Sequence, residues 1–370
     1  MQTAPPINYS MFLMPVHNPA KPLAQCFDED LEFAVQCNDL GFTDFWVGEH
    51  HTSTIENIVM PEIFLGKVLG LTDKMRIGAA PVCLQYHHPM HVANRLAFLD
   101  HFSHGRLNVC LGPGAIPTDN ELYGIDPSEV GARISESINM IMDIWSGDPP
   151  YNIQGDFWSI SQKTVDPEFG MGVLHKPLQQ PHPPIFVPCM SPNSRGLQAA
   201  AKRGFRPISH HMNHPDVLAN QWQGYAEGAA LGGREADPSD WCVARNIFVA
   251  DSTQEARQIA RENSLGKCIQ YIRDFTLRYA PTGLLIWKRN EEQTDDECNL
   301  DYFMDEVIIA GDPESVTQQL LDLREQIGDF GTLVAVAQDW DNREQWDRSF
   351  ELFAKEVIPA FNRAIGAEAK

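Results

Sequence analysis

The run Asp44-Phe-Trp-Val-Gly-Glu-His-His51 decides how this chain is read. Its apolar half has the length of a buried strand. Its end collects Glu49, His50 and His51, ionisable groups that are seldom buried without partners. A strand of this kind belongs in a parallel α/β sheet or barrel, where chemistry sits at the carboxyl ends of the strands.

Outward from that run, strand-like and helix-like segments alternate. Strands are expected at 9–14, 45–48, 76–84, 107–111, 184–189, 207–210, 241–250 and 332–337. Helices are expected at 25–40, 61–71, 89–102, 128–145, 193–203, 215–230, 253–272, 312–327 and 343–364. Eight strand–helix units predict an α/β fold, a (β/α)8 TIM barrel forming a single domain over residues 1–370. The alternation breaks at about 147–184, where a hairpin is expected near 151–160, and again at 273–299. Both breaks read as insertions.

Composition narrows the function. Hydrophobic residues make up 43% of 370, enough for a large core. A formal net charge of −22 offers no basic surface, so nucleic acid and anionic membrane are not expected partners. No apolar run approaches the roughly 20 residues that span a bilayer. The first residues lack the basic start and apolar core of a secretory signal, so a cytoplasmic location is expected. The eight cysteines form no CxxC pair and read as reduced, mostly buried thiols.

Three further stretches carry candidate chemistry. In Gly78-Ala-Ala-Pro81 the small residues Ala79 and Ala80 leave room for a flat ligand against the backbone. Ala80–Pro81 is also a place where a cis bond is within reach. In Asn108-Val-Cys-Leu-Gly-Pro-Gly-Ala115 the glycines lack Rossmann spacing, and Cys110 taken alone reads as a small buried residue. Met190-Ser-Pro-Asn-Ser-Arg195 runs into an Ala-rich helix. Ser191 or Asn193 is expected to cap it, Ser194 and Arg195 adding a hydroxyl and a positive charge at an anion-friendly helix start. The clustered histidines His50-His51 and His210-His211 raise a catalytic metal. The absence of a tight HxH or HExxH pattern weighs against one, and no metal is expected.

Taken together, the chain resembles the bacterial-luciferase-like family of flavin-dependent monooxygenases over nearly its whole length. The carrying motifs are Trp46-Val-Gly-Glu-His-His51, Gly78-Ala-Ala80 followed by His88-Pro89, and Leu99-Asp-His-Phe-Ser-His-Gly-Arg106. The Ser191 turn and Ile309-Ala-Gly-Asp-Pro-Glu-Ser-Val316 complete them. Glu56-Asn-Ile58 and Gly331-Thr-Leu333 are similar to the limonene monooxygenase and diketocamphane monooxygenase branch.

That resemblance implies residue roles. His50 and His51 match the family's catalytic histidine and its neighbour, and Cys110 the cysteine near the reactive flavin carbon. Ala80–Pro81 falls where the family holds a cis bond against the flavin ring. Ser191 and Ser194 match the turn that holds the FMN phosphate, with Asn193 and Arg195 beside them. Leu111 and Met190 stand where the family has a phosphate-binding arginine and a glutamate, so Arg195 is the candidate replacement charge. Asp100 and Arg106 are expected to form a structural ion pair, and 273–299 an active-site lid.

The activity implied is that of a two-component enzyme. Reduced FMN comes from an NAD(P)H:flavin reductase and reacts with O2 to a flavin hydroperoxide. One oxygen atom then enters a small apolar substrate such as a terpenoid, cyclic ketone or aldehyde. A homodimer is expected from the same resemblance. The competing readings are an F420-dependent dehydrogenase of the same fold, a metal-dependent hydrolase and a non-catalytic flavin-binding relative.

Overall fold

The computed structural model describes residues 7–192 and 194–367. Along the chain the strands are β1 Asn8–Leu13, β2 Asp44–Val47, β3 Arg76–Ala79, β4 Val82–Cys83, β5 Val109–Gly112 and β6 Tyr151–Gln154. They continue with β7 Ser159–Gln162, β8 Ile185–Cys189, β9 Arg206–Ser209, β10 Cys242–Val249, β11 Ile309–Gly311 and β12 Thr332–Ala337. Two compact units divide the chain. One holds Trp46–Phe186, and the other the residues up to Phe45 and from Val187 onward.

In the larger unit, β1 pairs with β12, β12 with β10, and β10 with both β9 and β11, all parallel. Every residue of β10 and β12 is buried. That is why β12 reads as a continuous Val- and Ala-rich run rather than as an alternating one, since a parallel strand is covered on both faces, while β10 buries Arg245 and Asn246 between its apolar ends. The helix Leu23–Leu40 ends at Gly41, whose φ of 87° is a left-handed cap that glycine adopts without penalty.

A charged knot ties the ends of β1 and β12 to that helix. His17 Nδ1 lies 3.0 Å from Asp339 and its Nε2 3.1 Å from Asp30, while Lys21 bridges Asp339 and Glu29. Burial opposes a charge on His17, but hydrogen bonds and Coulomb attraction from the two aspartates win and lift its pKa to about 9. A raised pKa stabilises the fold fully below the unfolded value near 6.5, and that stability is lost as pH rises through 9. We expect denaturation midpoints to fall between pH 6.5 and 9, by on the order of 3 kcal/mol at most. In His17→Gln this alkaline slope should flatten, and an unchanged slope would remove the knot from the account.

In the smaller unit β5 is central. It pairs parallel with β4 and with the first two residues of β8, and a bridge joins Ile77 of β3 to Leu107. The expected strand over 76–84 is interrupted at Ala80–Pro81, since proline has no N–H to give the ladder. The bond is cis. Gly78 is a point of close packing in this strand: a Cβ there would meet the Trp46 ring at 2.5 Å and the Asn108 carbonyl oxygen at 2.9 Å. Gly78→Ala should therefore cost about 1–3 kcal/mol by overpacking, read as a lower denaturation midpoint. An unchanged midpoint would show that the strand shifts freely.

The expected hairpin is present as antiparallel β6–β7, its turn tied down by Glu136, which accepts from the amides of Asp156, Phe157 and Trp158. Asp100 and Arg106 do not form the expected pair with each other. Asp100 accepts from Gln179 N and Nε2, and Arg106 donates to the carbonyls of Met75 and Ser103.

Two helix boundaries also differ from expectation. The helix over 253–272 breaks at Asn263, whose side chain caps a second helix, Ser264–Tyr279. That helix runs seven residues into the segment read as irregular, because Leu265, Ile269, Ile272 and Thr276 keep one buried face at helical spacing. The irregular segment is thus 280–299. Strand β11 escaped the sequence reading, since three residues are too few to show a period. No helix among the described residues is long and apolar enough to cross a membrane.

Candidate active site

Within the smaller unit, β2 delivers its polar end as the sequence suggests. Beyond Val47, a Cβ on Gly48 would stand only 3.2 Å from His50 Nε2, so glycine leaves the ring its place. The His50 amide donates to the Ile58 carbonyl, turning the chain so that Glu56 reaches the imidazole. His50 Nε2 lies 2.9 Å from Glu56 Oε2, and Nδ1 is buried with no hydrogen-bond partner among the described residues. Burial works against a charged ring, but the carboxylates of Glu56, Asp119 and Glu49 outweigh it and raise the His50 pKa.

Glu49 is the hub of a second cluster. It is 1% exposed, and its Oε1 accepts from His51 Nε2 at 2.9 Å and from His87 Nε2 at 2.5 Å. Its Oε2 accepts from the Cys83 amide. Burial favours the neutral acid, but the two imidazoles and the amide overcome it and hold the Glu49 pKa at about 2. His51 Nδ1 meets the Tyr123 hydroxyl at 3.0 Å, and the amides of His51 and Thr52 both donate to buried Asp119. His51 is therefore locked from both ring nitrogens, while His50 keeps one nitrogen open. The two histidines read as a pair in the sequence have different surroundings.

Glu49, His51 and His87 present ligand atoms within 4.8 Å of one another, a spacing a metal could use. Those same atoms are already joined as hydrogen bonds through a single carboxylate oxygen. They are also a different grouping from the His50, His51, His210 and His211 that the sequence raised.

Ala79 closes β3 and is buried, with Ala80 and Pro81 half-buried after it. Cys110 lies in β5 opposite Phe186 and is fully buried. The fold thus brings His50, His51, Ala79, Ala80 and Pro81 to the carboxyl ends of β2 and β3, while Cys110 lies inside β5. Sequence reasoning missed Glu56, His87, Asp119 and Tyr123 as members of the site. Only Glu56 had a signal, as part of a family motif.

In the larger unit, the turn after β8 differs from the expected cap. Ser194, not Ser191, caps the helix Arg195–Arg203, its Oγ accepting from Leu197 N at 3.1 Å. Ser191 and Arg195 are exposed, and Asn193 lies outside the described residues. The exposed Ser191 and Arg195 beside a helix start, where backbone N–H groups lack intrahelical acceptors, suit an anion. Asn213 Nδ2 donates to the Met190 carbonyl (2.9 Å) and to the Ile286 carbonyl (3.1 Å), tying this turn to segment 280–299.

Known proteins share this plan. Residues 7–329 match the family described as luciferase-like monooxygenase. The 4-hydroxyprotoasukamycin monooxygenase of Streptomyces nodosus subsp. asukaensis is 31% identical, over 97% of this chain and 93% of that protein. Limonene 1,2-monooxygenase of Rhodococcus erythropolis is 28% identical, over 97% and 88%. Among solved structures, the oxygenating constituent of 3,6-diketocamphane monooxygenase from Pseudomonas putida, in complex with FMN, superposes with a TM-score of 0.86. It is 26% identical and covers 96% of this chain and 98% of that one. The luciferase-like parallel α/β barrel read from the sequence is therefore the fold of this chain.

Proposed function

Since the chain belongs to the luciferase-like monooxygenases and is a flavin-dependent monooxygenase, we propose that it is the oxygenating half of a two-component system. A separate NAD(P)H:flavin reductase supplies reduced FMN, and the substrate is a small, largely apolar molecule of the terpenoid or cyclic-ketone kind. When bound, reduced FMN supplies the two electrons by which O2 yields one oxygen atom to substrate and one to water. The chain works as a homodimer in this proposal.

The observation that carries the reading is His50: one ring nitrogen fixed by Glu56, the other buried and unpartnered. The residues fit a flavin. Ala79 and Ala80 are small and follow Gly78, and Ser191, Ser194 and Arg195 surround a helix start suited to phosphate. Ala79, Ala80, Pro81 and Cys110 would hold the ring; Ser191, Asn193, Ser194 and Arg195 would hold the phosphate.

His50 then manages the proton. With Nε2–H given to Glu56, neutral His50 accepts at Nδ1; protonated, it donates there. The raised pKa keeps the donating form populated near neutral pH. That proton goes to the oxygen atom that leaves as water. Glu49 and Asp119 hold His51 and the following backbone still while this happens. Segment 280–299, with Trp287 and Leu284 fully buried, is in this proposal the lid that keeps water out during turnover.

The test is photoreduced FMN mixed anaerobically with the protein, then with 18O2 and a panel of terpenes, cyclic ketones and aldehydes. Product carrying one labelled oxygen atom is the expected result. Oxygen uptake no faster than free reduced FMN, together with hydride transfer from reduced F420 without oxygen, would replace this reading by the dehydrogenase one.

A further inference from the structure

Three polar side chains of the larger unit form a buried relay that the chemistry above does not use. Gln338 Nε2 donates to Asn246 Oδ1 at 2.9 Å, and Asn246 Nδ2 donates to His211 Nδ1 at 2.6 Å. All three are buried, His211 and Gln338 each 3% exposed. The two ends of the relay are open: His211 Nε2 and Gln338 Oε1 have no hydrogen-bond partner among the described residues.

The direction of the relay sets the tautomer of His211. Asn246 spends its oxygen on Gln338 and so can offer His211 only N–H, which makes Nδ1 the acceptor. A neutral imidazole that accepts at Nδ1 carries its proton at Nε2. The ring is kept neutral by burial first, and then by the nearby charges of His210 and Arg245, all of which push its pKa well down. The relay therefore presents one neutral donor, His211 Nε2–H, and one neutral acceptor, Gln338 Oε1.

Its place in the fold is where ligands bind. His211 follows the end of β9 at Ser209, Gln338 follows the end of β12 at Ala337, and Asn246 lies in the middle of β10 between them. The stacked rings of His211 and His210 (4.3 Å), with Trp287 4.7 Å from His210, form an aromatic wall beside it. Two unpaired polar atoms in such a place are a standing cost unless a ligand meets them.

We propose that His211 and Gln338, aligned by Asn246, recognise the substrate through a carbonyl oxygen and a hydroxyl or N–H hydrogen. This rests on the monooxygenase reading and narrows it. The preferred substrate is a neutral hydroxy- or amido-carbonyl compound, and a bare hydrocarbon is disfavoured because it would leave both groups unpaired.

The test is binding, followed by tryptophan fluorescence, of three bicyclic probes of similar size: camphane, camphor and 5-hydroxycamphor. We expect affinity to rise in that order, by 10-fold or more from first to last, and the preference to shrink below about 3-fold in His211→Phe and in Gln338→Leu. Equal wild-type affinity for the three, or a preference that survives in both variants, overturns the proposal. Nitrogen-15 NMR of wild-type His211 should show an unprotonated Nδ1; a protonated Nδ1 overturns it even if neither variant folds. Graded binding without oxygenation would sink the monooxygenase reading and leave this site standing. Oxygenation without graded binding would do the reverse.

Discussion

Replacing His50 by alanine is expected to lower turnover by about 10²-fold or more, with folding and FMN affinity retained. The ring is the one titratable group of the first cluster with a nitrogen left open, and Glu56 fixes its other nitrogen at 2.9 Å. The measurement is oxygenated product per unit time with photoreduced FMN, which removes the reductase from the question. Normal product formation by His50→Ala would exclude it as the proton-handling group. A companion variant separates position from charge. The Glu56 carboxylate is the chief influence raising the His50 pKa against burial. In Glu56→Gln the pH limb assigned to His50 should move to lower pH while the ring stays hydrogen-bonded. A limb that does not move would assign it to another group.

Removal of Glu49 should have the largest effect on stability. Its carboxylate accepts from two imidazoles and one amide while 1% exposed, so Glu49→Ala leaves three donors buried without their acceptor. Breaking a buried pair from one side costs about 3–5 kcal/mol. Urea denaturation followed by circular dichroism at neutral pH measures it, and a loss below 1 kcal/mol would contradict the hub role. Glu49→Gln keeps part of the acceptor set and should lose less. The pH dependence has a definite sign. The pKa is depressed from about 4.5 to about 2, so the stabilisation is complete above 4.5 and vanishes as pH falls through 2. In Glu49→Gln that acid limb should be shallower.

The sequence carries its own local structure because local structure depends on neighbours a few residues apart. Alternating apolar runs, prolines at helix starts and glycines after helix ends place most strands and helices within a few residues. The Glu-His-His run after β2 marks the candidate site. Errors fall where neighbouring residues offer competing caps or where a buried helix face runs on through an ambiguous stretch. Ser194 rather than Ser191 takes the cap, and the helix after Asn263 persists to Tyr279 because its buried face does.

What the sequence alone determined, then, is the α/β class and the family, and it singled out His50 as the candidate proton-handling residue. Tertiary structure decided the rest. It alone brings His87 to Glu49 and Tyr123 to His51, and strings Gln338, Asn246 and His211 into one relay across more than a hundred residues of chain. The reason is physical: a hydrogen bond needs its atoms within about 3 Å. Which distant side chains meet that demand follows from strand register and packing, and no spacing along the chain encodes it.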